Sequence, residues 1–508
     1  MIDKAPDMTT QQQRLAAITP ERLRGMRRGI EKESLRSQKT GGLALTPHPK
    51  ALGSALTHPL VTTDFSESQV EIITGAHTSV EACLTELTKV HQAVYKAMGD
   101  EMLWVSSMPC GLPGDETIPL ARYGTSNVGR AKSIYRMGLG HRYGRRMQTI
   151  CGIHYNWSLP GLSSEEYFAL IRNFRRHSFV LLYLFGAAPA VCSSFVQGRN
   201  HGLEVLRGQT LHRPFATSLR MGRLGYQSDA QSALSVSYNN LPDYAAELRR
   251  AMTTPYAPYE SVGVKNPGGE YNQLSTSLLQ LENEFYSLIR PKRTTRPAER
   301  PVPALLERGV EYVEVRCLDL NPFETVGINA STMRLIDIFL IHCLTSDSPA
   351  DSPEEIQALA RNLDKVTSKG REPGLMLENG AKQISLVQWA TQILNEMDTA
   401  AIALDQADGE TLYQQALTAA KTAMLEPARL PSARVLSTLH ESESGSYVGF
   451  IKEQSIKATD ALNALPWSAA DEVQFTQLAK ESIAAQTKIE DSDTLTFDDY
   501  LKAMLGAG

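Results

Sequence analysis

An α+β fold built around an antiparallel sheet is what this 508-residue sequence predicts, and three observations lead to it. Four short segments alternate apolar and polar residues with the period of two that sends neighbouring side chains to opposite faces of a strand. Between them lie stretches with apolar residues at three- and four-residue steps, the helical period. The two kinds follow one another without regular alternation, which argues against a doubly wound parallel sheet.

Taken in order, Thr19-Pro20-Glu21 opens a short helix that ends near Gly25. Arg28 to Arg36 is the first strand, with Glu31 and Glu33 on one face. In Thr62 to Thr74, Val70 and Ile72 alternate with Gln69 and Glu71, so Glu71 points away from an apolar face, with Asp64 just upstream. A helix follows Ser79 with Val80, Cys83, Leu84, Leu87, Val90 and Val94 along one stripe. From Arg130 to Arg146 seven basic residues interleave with Gly129, Gly138, Gly140 and Gly144, which reads as a glycine-rich basic loop. Thr149 to Trp157 is a strand placing Ile150, Gly152, His154 and Asn156 opposite Cys151, Ile153, Tyr155 and Trp157. Ser163 and Glu166 form a capping box for a helix running through Phe174 toward Gly186 and Pro189. In Glu311 to Leu318, Tyr312, Glu314 and Arg316 share a face while Val313 and Val315 pack. Ser346 to Pro353 is a loop, and beyond about Gly370 the chain is Ala- and Leu-rich with helical spacing and shows no motif of chemical interest.

The polar faces carry the chemistry. Two carboxylates side by side raise each other's pKa unless a cation lies between them, and a multivalent metal is such a cation. On any one strand a wet sheet face explains the acids equally well. The four faces together hold acids, one His, amides and one Arg, a narrower choice than solvent requires. The basic segment suits an anion that backbone and guanidinium groups can both approach, a polyphosphate or an amino-acid carboxylate. No Walker A sequence and no GxGxxG after a strand is present, so a nucleotide would be held by metals and side chains.

Composition narrows the class. A net charge of -5 is unlike that of a general nucleic-acid binder. The six cysteines are scattered without zinc or CxxC spacing, which suits a reducing cytoplasm. Met1 to Gln13 lacks an apolar signal core, and the oily run Phe179 to Phe185 is too short to span a bilayer. The expectation is a cytoplasmic, monomeric enzyme with no nucleic-acid or membrane partner.

The motifs Arg28-Gly29-Ile30-Glu31-Lys32-Glu33, Thr63-Asp64-Phe65-Ser66-Glu67, Ser133 to Gly144 and Cys151-Gly152-Ile153-His154-Tyr155-Asn156 resemble those of proteobacterial glutamate–cysteine ligases. Ser218-Leu219-Arg220-Met221, Leu224-Gly225-Tyr226, Ile289 to Arg293, Glu311 to Arg316, Asn321-Pro322-Phe323 and Gly370 to Leu375 continue the likeness in the right order. The resemblance implies a glutamine-synthetase-like core over 1–375, its antiparallel sheet forming a funnel, with a helical C-terminal region over 376–508 packed on it. It implies joining of L-glutamate to L-cysteine with ATP as co-substrate and Mg²⁺ or Mn²⁺ as the metal. It implies Glu31, Glu33, Asp64, Glu71, His154 and Glu314 as metal ligands, and Arg316 with Glu314 at the phosphoryl group. Arg220 is expected to clamp a substrate carboxylate, while Tyr135, Tyr226 and Tyr286, with Phe65 and Leu139, line the cysteine pocket. Gln148, Ile150 and Asn156 are expected beside the glutamate, and Lys292 and Arg293 near the nucleotide.

Overall fold

The computed structural model describes residues 9–225, 229–232, 234–296 and 299–506. Tyr226 lies outside the described residues. Among them the main sheet has seven strands: β1 (Arg27–Ser37), β2 (Val61–Thr63), β3 (Gln69–Ile73), β4 (Met102–Leu103) and β5 (Ile153–Ser158), with β9 (Ile289–Lys292) and β10 (Tyr312–Leu318). Their order is β2-β3-β1-β5-β10-β9, with β4 added to the end of β1, and every pairing is antiparallel. Two small sheets complete the strands. One joins β6 (Ala190–Cys192), β7 (Glu204–Arg207) and β8 (Thr210–His212), and the other is a hairpin of β11 (Met376–Asn379) and β12 (Lys382–Ser385).

One face of the main sheet is core. Ile30, Ile153, Tyr155, Trp157, Val313 and Val315 are buried there, covered by the helices Val80–Ala97 and Ala330–Thr345. Two polar anchors cross this back face. Arg28 Nε lies 3.0 Å from Asp337, whose other oxygen accepts from Tyr155 at 2.8 Å. Lys32 Nζ meets His91 Nε2 at 2.7 Å.

The helix starts follow their local signals. Thr19 and Ser79 each cap through the side chain, and Ser163 with Glu166 forms the full capping box. The loop after residue 345 ends where Ser352 caps the helix Pro353–Lys369.

Three expectations are corrected. The basic segment is no loop: Asn127–Tyr143 is a helix capped by Ser126 and ended by Gly144 at φ +83°. Its glycines meet packing needs, because a side chain at Gly129 would strike the Tyr123 carbonyl and one at Gly138 would strike the Gln280 amide. The strand expected from Thr149 begins only at Ile153, since Arg145–Gln148 is a helical turn and the Gly152 Cα faces the Arg220 guanidinium. The C-terminal region opens with the β11–β12 hairpin before its helices begin at Leu386.

The helix Ala469–Ser492 is tied along residues 54–57 and 125 by Ser482 and Glu490. It returns the chain so that Phe497–Gly506 lies against Asn127–Tyr143. No helix among the described residues is long and apolar enough to cross a membrane. All six cysteines are buried and unbridged.

Candidate active site

The strand register assembles the polar face. Glu31 on β1 stands opposite His154 on β5, Glu33 opposite Glu71 on β3, and Glu314 on β10 between Asn156 and Arg290. Directly opposed residues in an antiparallel pair share a face with Cβ atoms about 4.5–5.5 Å apart, so one residue per strand suffices to build a cluster. His154 Nδ1 is 3.2 Å from Glu31 and 3.9 Å from Glu314, and its Nε2 is 3.7 Å from Glu33. One donor atom each of Glu31, His154 and Glu314 falls within 4.8 Å of the others. These side chains, with Asp64 and Glu71, line a cavity of about 390 Å³.

The carboxylates split into two electrostatic classes. Burial pushes Glu33 up, the Asp64 charge adds to it, and its pKa stands at about 8 despite Arg220 and Arg316. Glu71 is held well above the usual range by burial and by Glu31, Asp64 and Glu33. Burial acts on Glu31 and Glu314 in the same direction. It is outweighed for Glu31 by the His154 hydrogen bond and Lys292, and for Glu314 by Lys292 and Arg316. Lys292 reaches Glu314 at 3.1 Å and Arg316 reaches it at 2.9 Å. Burial and Arg316 depress His154, which leaves the imidazole neutral at pH 7. Ionised oxygens beside a neutral imidazole are the donors a divalent cation needs, and the protonated pair is what unrelieved like charge produces.

The family model of glutamate–cysteine ligase matches residues 13–366. The chain belongs to the glutamate–cysteine ligase family. The glutamate–cysteine ligase of Alcanivorax borkumensis is 47% identical over 501 residues, covering 94% of this chain and 95% of that protein. That of Azotobacter vinelandii is 46% identical over 502 residues, covering 95% and 94%. The glutamate–cysteine ligase of Francisella tularensis, solved in complex with AMP, superposes with a TM-score of 0.90 at 34% identity, covering 95% of this chain and 98% of that one.

The other positions singled out by resemblance to the ligases fall in four places. Phe65, Tyr135, Leu139, Gln148, Ile150 and Tyr286 all border the cavity, with Gln148 donating to the Tyr286 hydroxyl at 3.0 Å. Asn156 donates to Glu31 at 2.9 Å, so its amide orients that carboxylate. Arg220 is fully buried behind the floor, where it donates to the Arg316 carbonyl at 3.0 Å and lies 3.6 Å from Asp319. Arg293 turns away to the Arg308 carbonyl and to Glu311.

Among the lining residues, Lys132 and Arg136 belong to the basic segment expected to meet an anion, whereas Arg290, Tyr500 and Met504 carry no role in the sequence analysis. Arg290 shares the face of Lys292, two residues on, but Pro291 between them disguises the strand. Lys132 and Arg136 line the cavity from one turn of the Asn127–Tyr143 helix, each with its cation near the Tyr123 ring. Burial lowers Lys132 to about 8. Of the remaining basic residues in that helix, Arg142 is bound by Glu284 and Gln273, a structural role. Tyr500 and Met504, from the C-terminal helix, were given no part in the chemistry and yet form part of the wall.

Proposed function

We propose that this protein joins the γ-carboxylate of L-glutamate to the amine of L-cysteine at the cost of ATP, through a γ-glutamyl phosphate. A γ-carboxylate oxygen attacks the terminal phosphorus in line and ADP departs. The cysteine nitrogen then attacks the acyl carbon and phosphate leaves. The observation that carries this reading is the cluster of Glu31, His154 and Glu314 flanked by Lys292 and Arg316. Membership of the ligase family supports it.

The donor set fits divalent cations, Mg²⁺ or Mn²⁺. Glu31, His154 and Glu314 would hold one, and Glu33, Asp64 and Glu71 supply oxygens for more. A bound cation screens triphosphate and carboxylate so that two anions can meet. Lys292 and Arg316 hold positive charge toward the cavity in fixed hydrogen bonds, which makes it available to the moving phosphoryl oxygens without reorganisation. Asn156 keeps Glu31 aimed. Tyr135, Leu139, Phe65 and Tyr286 supply less polar lining, suited to a small uncharged thiol side chain, and enclose the acyl phosphate away from water.

The test is ADP release by the purified protein with Mg²⁺, ATP and glutamate, with and without cysteine, and the product identified by mass. Release that needs both amino acids and yields γ-glutamylcysteine is expected. Release with glutamate that ignores cysteine would overturn the choice of amine.

A further inference from the structure

The C-terminal helix Phe497–Gly506 is amphipathic, with Phe497, Tyr500, Leu501, Met504 and Leu505 at steps of three and four. Phe497 and Leu501 are buried in a small apolar cluster of their own, with Ala131 and Leu274, against which Ile134, Tyr135 and Leu281 pack. Tyr135 belongs equally to the main core and to the wall of the catalytic cavity. One face of the helix thus anchors it, and the edge of that face, Tyr500 and Met504, reaches the cavity.

The helix is held from several sides. Asp498 accepts from Tyr271 at 2.5 Å and pairs with Lys265 at 3.0 Å. The Arg130 guanidinium lies 4.3 Å from the centre of the Phe497 ring, and Tyr271 meets that ring edge-on at 5.1 Å. Asn127 donates to the Leu495 carbonyl at 3.0 Å, which fixes the start of the helix to the start of Asn127–Tyr143. A wall anchored in this way has a defined position and can select by shape.

We infer that Tyr500 and Met504 are specificity-determining residues for the amine substrate. The argument rests on the ligase reading above. They pack against the same small apolar cluster as Tyr135 and line the same cavity, so they bear on the amine, whose pocket Tyr135 lines in the ligase reading. An aromatic edge and a thioether make a soft apolar surface that accepts a small uncharged side chain and penalises a charged one. The same residues limit access of water to the acyl phosphate, whose hydrolysis would spend ATP without product.

Steady-state kinetics of Tyr500→Ala and Met504→Ala in the full chain test this. The expected result is a KM for cysteine raised on the order of tenfold, with those for ATP and glutamate within about twofold. L-homocysteine, one methylene longer, should gain relative to cysteine, and glutamate-dependent ADP release without any amine should rise. Met504→Gln, of similar size and compatible with a helix, should raise the cysteine KM by polarity alone, and Met504→Leu should restore it. Unchanged cysteine KM and unchanged amine preference in the folded variants overturn the inference. So does a uniform loss in kcat with all three KM values altered alike, which a merely structural helix would give. Wild-type protein that forms no γ-glutamylcysteine overturns instead the reading on which the inference stands.

Discussion

Glu33 and Glu71 stand directly opposite each other on β1 and β3, both on the face that lines the cavity. Two acids in that relation destabilise the fold above the ordinary carboxylate range, because burial and neighbouring like charge oblige them to keep protons that the unfolded chain has lost. Such a pair persists where function needs it. In the metal-free protein Glu71→Gln should therefore raise Tm by about 1 °C, which on a chain of this length corresponds to about 1 kcal/mol, while weakening Mg²⁺ binding and turnover. Differential scanning calorimetry in EDTA, set beside kcat at saturating Mg²⁺, checks both halves. A lowered Tm would count against the repulsion.

The same pair sets a pH dependence. Glu33, at about 8, and Glu71, also raised, bind protons in the folded protein that the unfolded chain has already lost above the ordinary carboxylate range. A raised acid stabilises below its unfolded pKa, and that contribution is lost as pH rises through its folded pKa. Metal-free protein should thus lose stability between about pH 5 and 8, and added Mg²⁺ should offset the loss most strongly at the upper end. Thermal melts across this range with EDTA and with Mg²⁺ decide it, and parallel curves would refute the link.

Glu314→Ala should abolish turnover, by a factor of about 10³ or more, because Glu314 is both a candidate metal ligand and the anchor of Lys292 and Arg316. Folding should survive, since both cations face the cavity and can be solvated. Circular dichroism and ADP release on the same preparation test this, and wild-type activity would remove Glu314 from the site.

Much of this site was legible because strand faces obey a period of two. Spacing alone puts Glu31 with Glu33 on one face of β1 and His154 on the polar face of β5, and the register then places them together. What sequence hides is packing at a distance. Gly138 looks like a loop residue, and only the Gln280 amide pressed against it explains why a helix carries glycine there. Pro291 masks the strand that presents Arg290, tolerated because β9 is at the sheet edge. Tyr500 and Met504 sit on an ordinary amphipathic helix, and nothing local says that it returns to the cavity of Tyr135.

Gly138→Ala follows from that packing. Gln280 accepts from the Leu274 amide at 2.9 Å and donates to the Tyr135 carbonyl at 3.2 Å, so it cannot swing aside without cost. A methyl group there should cost about 1–3 kcal/mol and displace Tyr135 and Leu139. The KM for cysteine should rise more than that for ATP. Equal effects on both would show that the strain does not reach the pocket wall.

Lys32 offers a stability test separable from catalysis. It lies on β1 between Glu31 and Glu33 but points to the opposite, core face, almost fully buried. His91 donates through Nδ1 to the Leu87 carbonyl, which leaves Nε2 to accept from Lys32. Burial lowers the Lys32 pKa to about 7, against 10.5 for an exposed lysine, and His91 is depressed as well. Between these values the unfolded chain holds a proton that the folded chain lacks, so stability rises with pH across that window. Below it the folded state bears the whole penalty, on the order of 5 kcal/mol before relaxation. Lys32→Met keeps the volume and removes the charge, at the cost of an unpaired His91 nitrogen of about 1–3 kcal/mol. The variant should exceed wild type in Tm at pH 7, and the difference should shrink toward pH 10. An advantage that is constant with pH would mean that Lys32 is not carrying the titration, and lost ligase activity would mean that the back face is not independent of the site.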